Sequence, residues 1–158
     1  MFDKIIQYTT VEGFEYLIKF TEFNKAYLPD SFALPIVDIT IETIATLNQI
    51  NNGKTLFNFS STIQDFLDEN NIILYFYCSH DPIVKNKNRQ HISDAQFRSD
   101  LFCKMFEKQN LDNNFFCENI IIKDLNNGDH HIHLISKIEN EDEIITIIKD
   151  GLPFFENK

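Results

Sequence analysis

The chain has 158 residues, 43% hydrophobic and 13% aromatic, enough for one packed domain; four glycines and four prolines exclude a collagen-like or linker-like composition. Its formal charge of −10 repels phosphate backbones at long range, which disfavours a nucleic-acid binder and makes basic proteins the expected partners. No apolar run is long enough to span a bilayer, and the start Met1-Phe2-Asp3-Lys4-Ile5 lacks a secretory pattern. Three cysteines without CxxC spacing argue against a disulfide framework or zinc ribbon, so a cytoplasmic protein is expected.

The first elements alternate with period two. Ile5 to Thr9, a turn at Val11-Glu12-Gly13, and Phe14 to Phe23 predict a hairpin, with Phe14, Tyr16, Ile18 and Phe20 sharing one face. After a loop with Pro29 and Pro35, Ile36 to Ile44 alternates Val37, Ile39 and Ile41 with Asp38, Thr40 and Glu42, which predicts a third strand completing an antiparallel meander. The turn-prone Asn51-Asn52-Gly53 leads into Thr55 to Phe59, read as a fourth strand or as extended chain.

Ser60-Ser61-Thr62 offers capping hydroxyls to a short helix carrying Ile63, Phe66 and Leu67, which Asn70-Asn71 closes. Ile72 to Tyr77 is apolar throughout and predicts a central strand covered on both faces. Ser93 or Asp94 then caps a long helix to about Gln109, with Phe97, Leu101, Phe102, Met105 and Phe106 as its apolar stripe. A second hairpin, Phe115 to Lys123 and His130 to Ile138, turns at Asn127-Gly128. A last helix from about Asp142 to Lys149 is expected to stop at Gly151 and Pro153, with the acids of Glu139 to Glu143 near its first turn. This order predicts a single α+β domain over residues 1–158. It has a mostly antiparallel sheet of about five to seven strands and about three helices packed mainly on one face.

One segment differs in charge from the rest. Between Ile83 and Lys108 lie Lys85, Lys87, Arg89, Arg98, Lys104 and Lys108 against Asp94, Asp100 and Glu107; this net +3 leaves −13 on the remainder. Lys85, Lys87, Arg89 and His91 precede the long helix, and Arg98 lies about one turn inside it. Such a loop feeding a helix N-terminus is a candidate anion site, because first-turn amides are open donors and a guanidinium fork suits a carboxylate or phosphate. The plainer reading is solvated surface, or an island docked on the protein's own carboxylates or on a second copy of the molecule.

Two smaller constellations carry possible chemistry. Cys78 and His80 would share one side of an extended chain, but a thiolate pair needs an orienting third group; a buried cysteine and a loop cap are the commoner outcome. His131 and His133 project from one face of a strand, at a spacing that can hold one metal if Asp129 or a neighbouring strand adds a third ligand. A His-hydrophobic-His strand is similar to the metal-binding pair of rolling-circle nucleases with a catalytic tyrosine, yet no tyrosine follows Tyr77 in this chain.

From Thr62 to Lys108 the chain combines an Ile-Phe-Leu helix, a strand ending Tyr75-Phe76-Tyr77-Cys78, a polar basic gap, and Phe97-Arg98-Ser99-Asp100-Leu101-Phe102 running to Phe106. Together with the closing strand His131 to Ser136 and the final helix, this resembles a domain-of-unknown-function family of small bacterial proteins, over about two thirds of the chain. The resemblance implies no catalytic residue. The expected function is a non-catalytic, cofactor-free module of immunity, antitoxin or defence type, whose acidic surface engages a basic protein partner, with homodimerisation as a further possibility. The alternative is a small enzyme or binding protein for a phosphorylated ligand or nucleotide at Lys85, Lys87, Arg89, His91 and Arg98.

Overall fold

A computed structural model describes residues 3–9, 15–43, 59–82, 85 and 87–156. Strands β1 (Asp3–Thr9) and β2 (Glu15–Glu22) pair antiparallel, with Ile6 opposite Ile18 and Tyr8 opposite Tyr16. Strand β3 (Ile36–Thr43) continues the antiparallel meander on β2, with Phe20 opposite Ile39. The period-two reading holds here: Tyr16, Ile18 and Phe20 are fully buried, while Leu17 and Lys19 between them are half-exposed.

The meander then ends. Helix α1 (Ser60–Glu69) follows, and β4 (Ile73–Tyr77) joins β3 in parallel, with Val37 opposite Leu74. Helix α2 (Asp94–Gln109) leads to the outer strand β5 (Phe115–Ile122), and β6 (His130–Lys137) returns between β5 and β4, antiparallel to both. The sheet order is therefore β1-β2-β3-β4-β6-β5, mostly antiparallel as expected of an α+β fold. Helix α3 (Glu141–Glu156) closes the described chain. No described helix is long and apolar enough to cross a membrane.

Alternation along β4 divides the core in two. Leu74, Phe76 and Cys78 face α1 and α2, joining Ile63, Phe66, Leu67, Phe102 and Met105; Phe20 stacks on Phe66 (3.9 Å) and Phe76 on Phe102 (4.8 Å). Ile73 and Tyr75 face the other way, onto Ile144 and Ile147 of α3 and onto Phe23, Leu28, Phe32 and Leu34 from the loop after β2. Two of the three described α-helices thus share one face and α3 lies on the other. That is why β4 is apolar at every position.

Two local expectations change, and of the two candidate caps for α2 one is chosen. Ser60-Ser61-Thr62 does not cap α1: Phe59 holds the cap position and makes no side-chain capping bond, its buried ring lying edge-on to Tyr8 and Tyr16 at 5.1 Å each. Helix α3 does not stop at Gly151 and Pro153 but runs to Glu156, taking the proline into its last turn. Ser93, rather than Asp94, caps α2, its Oγ accepting from Gln96 N at 3.0 Å. The Val11-Glu12-Gly13 and Asn51-Asn52-Gly53 turns, and the strand expected at Thr55 to Phe59 apart from Phe59 itself, lie outside the described residues.

Candidate functional site

The basic segment lies where the chain leaves β4 and returns as α2. Arg98, only 6% exposed, is drawn under the connecting loop by α2. Its Nη1 donates to the carbonyls of Ser79 (2.7 Å) and Asp81, and its Nη2 donates to that of Pro82 (3.3 Å). Burial lowers its pKa, with Asp81 and Asp94 opposing, but a guanidinium stays charged. Lys85 Nζ meets Asp94 Oδ1 and donates to the Ile92 carbonyl, each at 2.9 Å. Arg89 pairs with Asp100 and lies over the Phe97 ring, 5.7 Å from its centroid. Lys87 and His91 are exposed. Three of the five residues proposed from sequence for anion binding therefore hold the loop's own carbonyls and α2's own carboxylates. These contacts staple the long connection onto the helix.

His131 and His133 do share a face of β6, but that face lies under α2. His133 is fully buried. Its Nε2 lies 2.9 Å from Ser99 Oγ and its Nδ1 3.7 Å from Cys117 Sγ, and the Ser99 hydroxyl accepts from Asn119 Nδ2 at 3.3 Å. One proton arrangement satisfies the whole chain: Ser99 donates to Nε2, and Nδ1–H donates to the Cys117 sulfur. Burial depresses the His133 pKa to about 4, so the ring is neutral at pH 7. Burial also lowers that of His131, against Asp129 and Asp100, and its enclosed Nδ1 has no hydrogen-bond partner among the described residues. Among the described residues no group of three or more His, Cys, Asp or Glu side chains is arranged to hold a metal. Asp129, the third ligand considered from sequence, instead pairs with Lys123 at 2.9 Å.

Cys78 is fully buried, and burial pushes its thiol up to about 12 despite the nearby Arg98, which leaves it protonated and unreactive. His80 turns towards His130, ring centroids 5.6 Å apart and nearly perpendicular. Beside it Gly128 adopts φ +86°, the left-handed conformation that the hairpin turn requires, and a Cβ there would sit 3.5 Å from the His80 ring.

Sequence reasoning missed a hydrogen-bonded relay at this end of the sheet. Tyr77 Oη lies 2.6 Å from His130 Nδ1, and His130 Nε2 lies 2.8 Å from Asp124 Oδ2, so phenol, imidazole and carboxylate form one chain. Asp124 also accepts from the backbone amides of Asn126 and Asn127 at 3.0 Å each. The His130 bond first, and then these amides, hold its carboxyl well below the ordinary range. Burial raises the Tyr77 pKa, with Cys78 and Asp124 adding to it, so the phenol is a proton donor rather than an activated nucleophile. The relay ties β4 to the β5–β6 turn. Asp124 and His130, flanking Asn127-Gly128, were a readable signal; Tyr77 was not, because its contact depends on β6 lying beside β4.

The opposite end of the sheet is acidic. There β4 begins, β6 ends, α1 finishes and α3 starts. Asn140 Nδ2 donates to Asn71 Oδ1 and to Ser136 Oγ, each at 2.8 Å, while the Ser136 hydroxyl donates to the Ile72 carbonyl at 2.6 Å. This clamp joins the residue just after α1, which carries the exposed Asp65, Asp68 and Glu69, to the residue just before α3, where the exposed Glu139, Glu141 and Asp142 cluster. Acids at the start of α3 suit its dipole; Asp68 and Glu69 at the end of α1 oppose theirs, with no basic residue in that last turn. Among the described residues no lysine or arginine forms an ion pair with these six carboxylates, whereas the cations of the loop at the other end are matched by Asp94 and Asp100. No family model, curated protein or solved structure matches this chain.

Proposed function

We propose that the chain is a non-catalytic binding module of immunity, antitoxin or defence type that presents its acidic end, Asp65, Asp68, Glu69, Glu139, Glu141 and Asp142, to a basic partner protein. The observation that carries this reading is the Asn71–Asn140 bond, which ties the acidic end of one helix to the acidic start of another, Asp68 and Glu69 lying against their own helix dipole. Carboxylates kept where they weaken a helix are accounted for by a use outside the fold. The reading of a phosphorylated-ligand site has less support, because Lys85, Arg89 and Arg98 already donate within the molecule. The hydrogen-bonded Ser99, His133 and Cys117 do not favour catalysis either, because Ser99 and His133 are sealed where α2 packs on β6, and the buried Cys78 thiol stays protonated.

The test is affinity chromatography of a lysate of the source cells on immobilised wild type and on a variant with Asp68→Asn, Glu69→Gln, Glu141→Gln and Asp142→Asn. A basic protein held by the wild type, released by salt and lost on the variant supports the proposal. Equal retention on both columns refutes it.

A further inference from the structure

Five large apolar side chains are exposed among the described residues, and four of them surround β5: Leu111 before it (83% exposed), Ile121 on it (48%), Leu125 after it (fully exposed) and Ile138 beside its start. Among the described strands β5 is outermost and pairs only with β6. The phase of its hydrogen bonds can be read directly. Ile138 N donates to Asn114 O at 2.9 Å, so Asn114 and the even-numbered residues after it face β6. The odd-numbered residues therefore turn their N–H and C=O groups outward. Phe115 shows it: its N–H donates to Asn110 Oδ1 (3.1 Å) and its carbonyl accepts from Asn110 Nδ2 (2.8 Å), one side-chain amide standing in for a neighbouring strand.

Beyond that cap, the outward N–H and C=O groups of Cys117, Asn119 and Ile121 have no partner among the described residues. Nor does this edge carry the usual guards against strand addition. Phe115–Ile122 contains no proline and no lysine, has one charge, Glu118, and pairs with β6 at every position without a bulge.

We propose that this edge pairs antiparallel with the same edge of a second copy of the chain, about a two-fold axis through Asn119, joining two six-stranded sheets into one. Three features favour a second copy over an unrelated strand. The open groups are symmetric about Asn119: with Asn119 opposite Asn119 and Cys117 opposite Ile121, each donor meets an acceptor and none is left over. Leu111 and Leu125 lie at opposite ends of β5, so antiparallel pairing sets the Leu111 end of one copy against the Leu125 end of the other. Asp112 and Lys123 beside them bring opposite charges together in the same way. This register also places Glu118 opposite Ile120 instead of opposite its own counterpart, leaving the two Glu118 side chains as diagonal neighbours.

Sedimentation equilibrium of the wild type, with Ile121→Lys, Ile121→Pro and Glu118→Gln, tests the proposal. The wild type should reach twice the 18.6 kDa chain mass at micromolar concentration. Both Ile121 variants should dissociate at least about tenfold more readily with unchanged far-ultraviolet circular dichroism, since the side chain is exposed and the N–H faces outward, and their melting temperature should fall no further than that of the wild type diluted to monomer. Glu118→Gln should tighten the dimer severalfold by removing the diagonal repulsion. A wild type that stays monomeric to submillimolar concentration overturns the proposal, as does a dimer indifferent to both Ile121 variants. A Glu118→Gln dimer no tighter than wild type overturns the register.

Discussion

Acid should destabilise this protein well above the pH at which ordinary carboxylates titrate, and His133 sets the size of the effect. In the folded chain its pKa lies at about 4, against the ordinary 6.5 that applies once the chain unfolds. Between those values the unfolded state binds a proton that the folded state refuses, so stability is full above about pH 6.5 and falls as the pH drops towards 4. Each unit of separation is worth about 1.36 kcal/mol, so His133 alone accounts for about 3 kcal/mol, most of it lost by pH 4.5. His131, lowered by burial, acts in the same direction. Asp124, held below the carboxylate range, adds its loss only below about pH 4. The assay is urea unfolding followed by circular dichroism from pH 7.5 to 4.5, on wild type and on His133→Gln, which loses the titrating ring. Wild-type stability should fall by about 2 to 3 kcal/mol more than that of the variant. A flat wild-type profile, or identical slopes in the two proteins, would refute the buried neutral imidazole.

Arg98→Ala should cost about 3 kcal/mol in urea unfolding, because the carbonyls of Ser79, Asp81 and Pro82 lose a buried charged donor, whereas Arg89→Ala, breaking a half-exposed pair with Asp100, should cost less than about 1 kcal/mol. A larger effect at Arg89 than at Arg98 would contradict the stapled-loop account. With its thiol pushed up to about 12, Cys78 should resist a disulfide exchange reagent at pH 8 in the native protein and react in denaturant; peptide mapping identifies the modified residue, and native labelling of Cys78 would count against its burial. Tyr77→Phe removes the proton donor to His130 and should cost about 1 kcal/mol while shifting the His130 ring resonances in NMR; unchanged resonances would deny the relay.

How much of this could be read from the residues depended on whether a feature was local. The alternation in Tyr16, Ile18 and Phe20 and the unbroken apolar run of β4 state their own burial, and Ser93 declares the start of α2. The parallel pairing of β3 with β4 was not legible, because it follows from where α1 sends the chain rather than from any pattern within either strand. Arg98 stood out as a cation beside a helix start, which is also how an anion site begins; what decides its role is three carbonyls of a loop sixteen to nineteen residues upstream, folded over it. The His131 and His133 pair showed its common face correctly. That α2 would bury this face, and that Ser99 would claim His133, depended on packing between distant elements. The acid count was plain, but that Asp68 and Glu69 lie at the same end of the sheet as Glu141 and Asp142 follows from β4 pairing with β6, which also lets Asn71 meet Asn140.

The acidic end is tested most directly by the rate at which the chain associates with the basic protein retained on the wild-type column, measured across ionic strength. Wild-type association should be fast at low salt and fall steeply as salt rises, and the variant neutralised at Asp68, Glu69, Glu141 and Asp142 should start slower and vary little. Equal rates and equal salt dependence for the two proteins would contradict the assignment of that surface as the binding face.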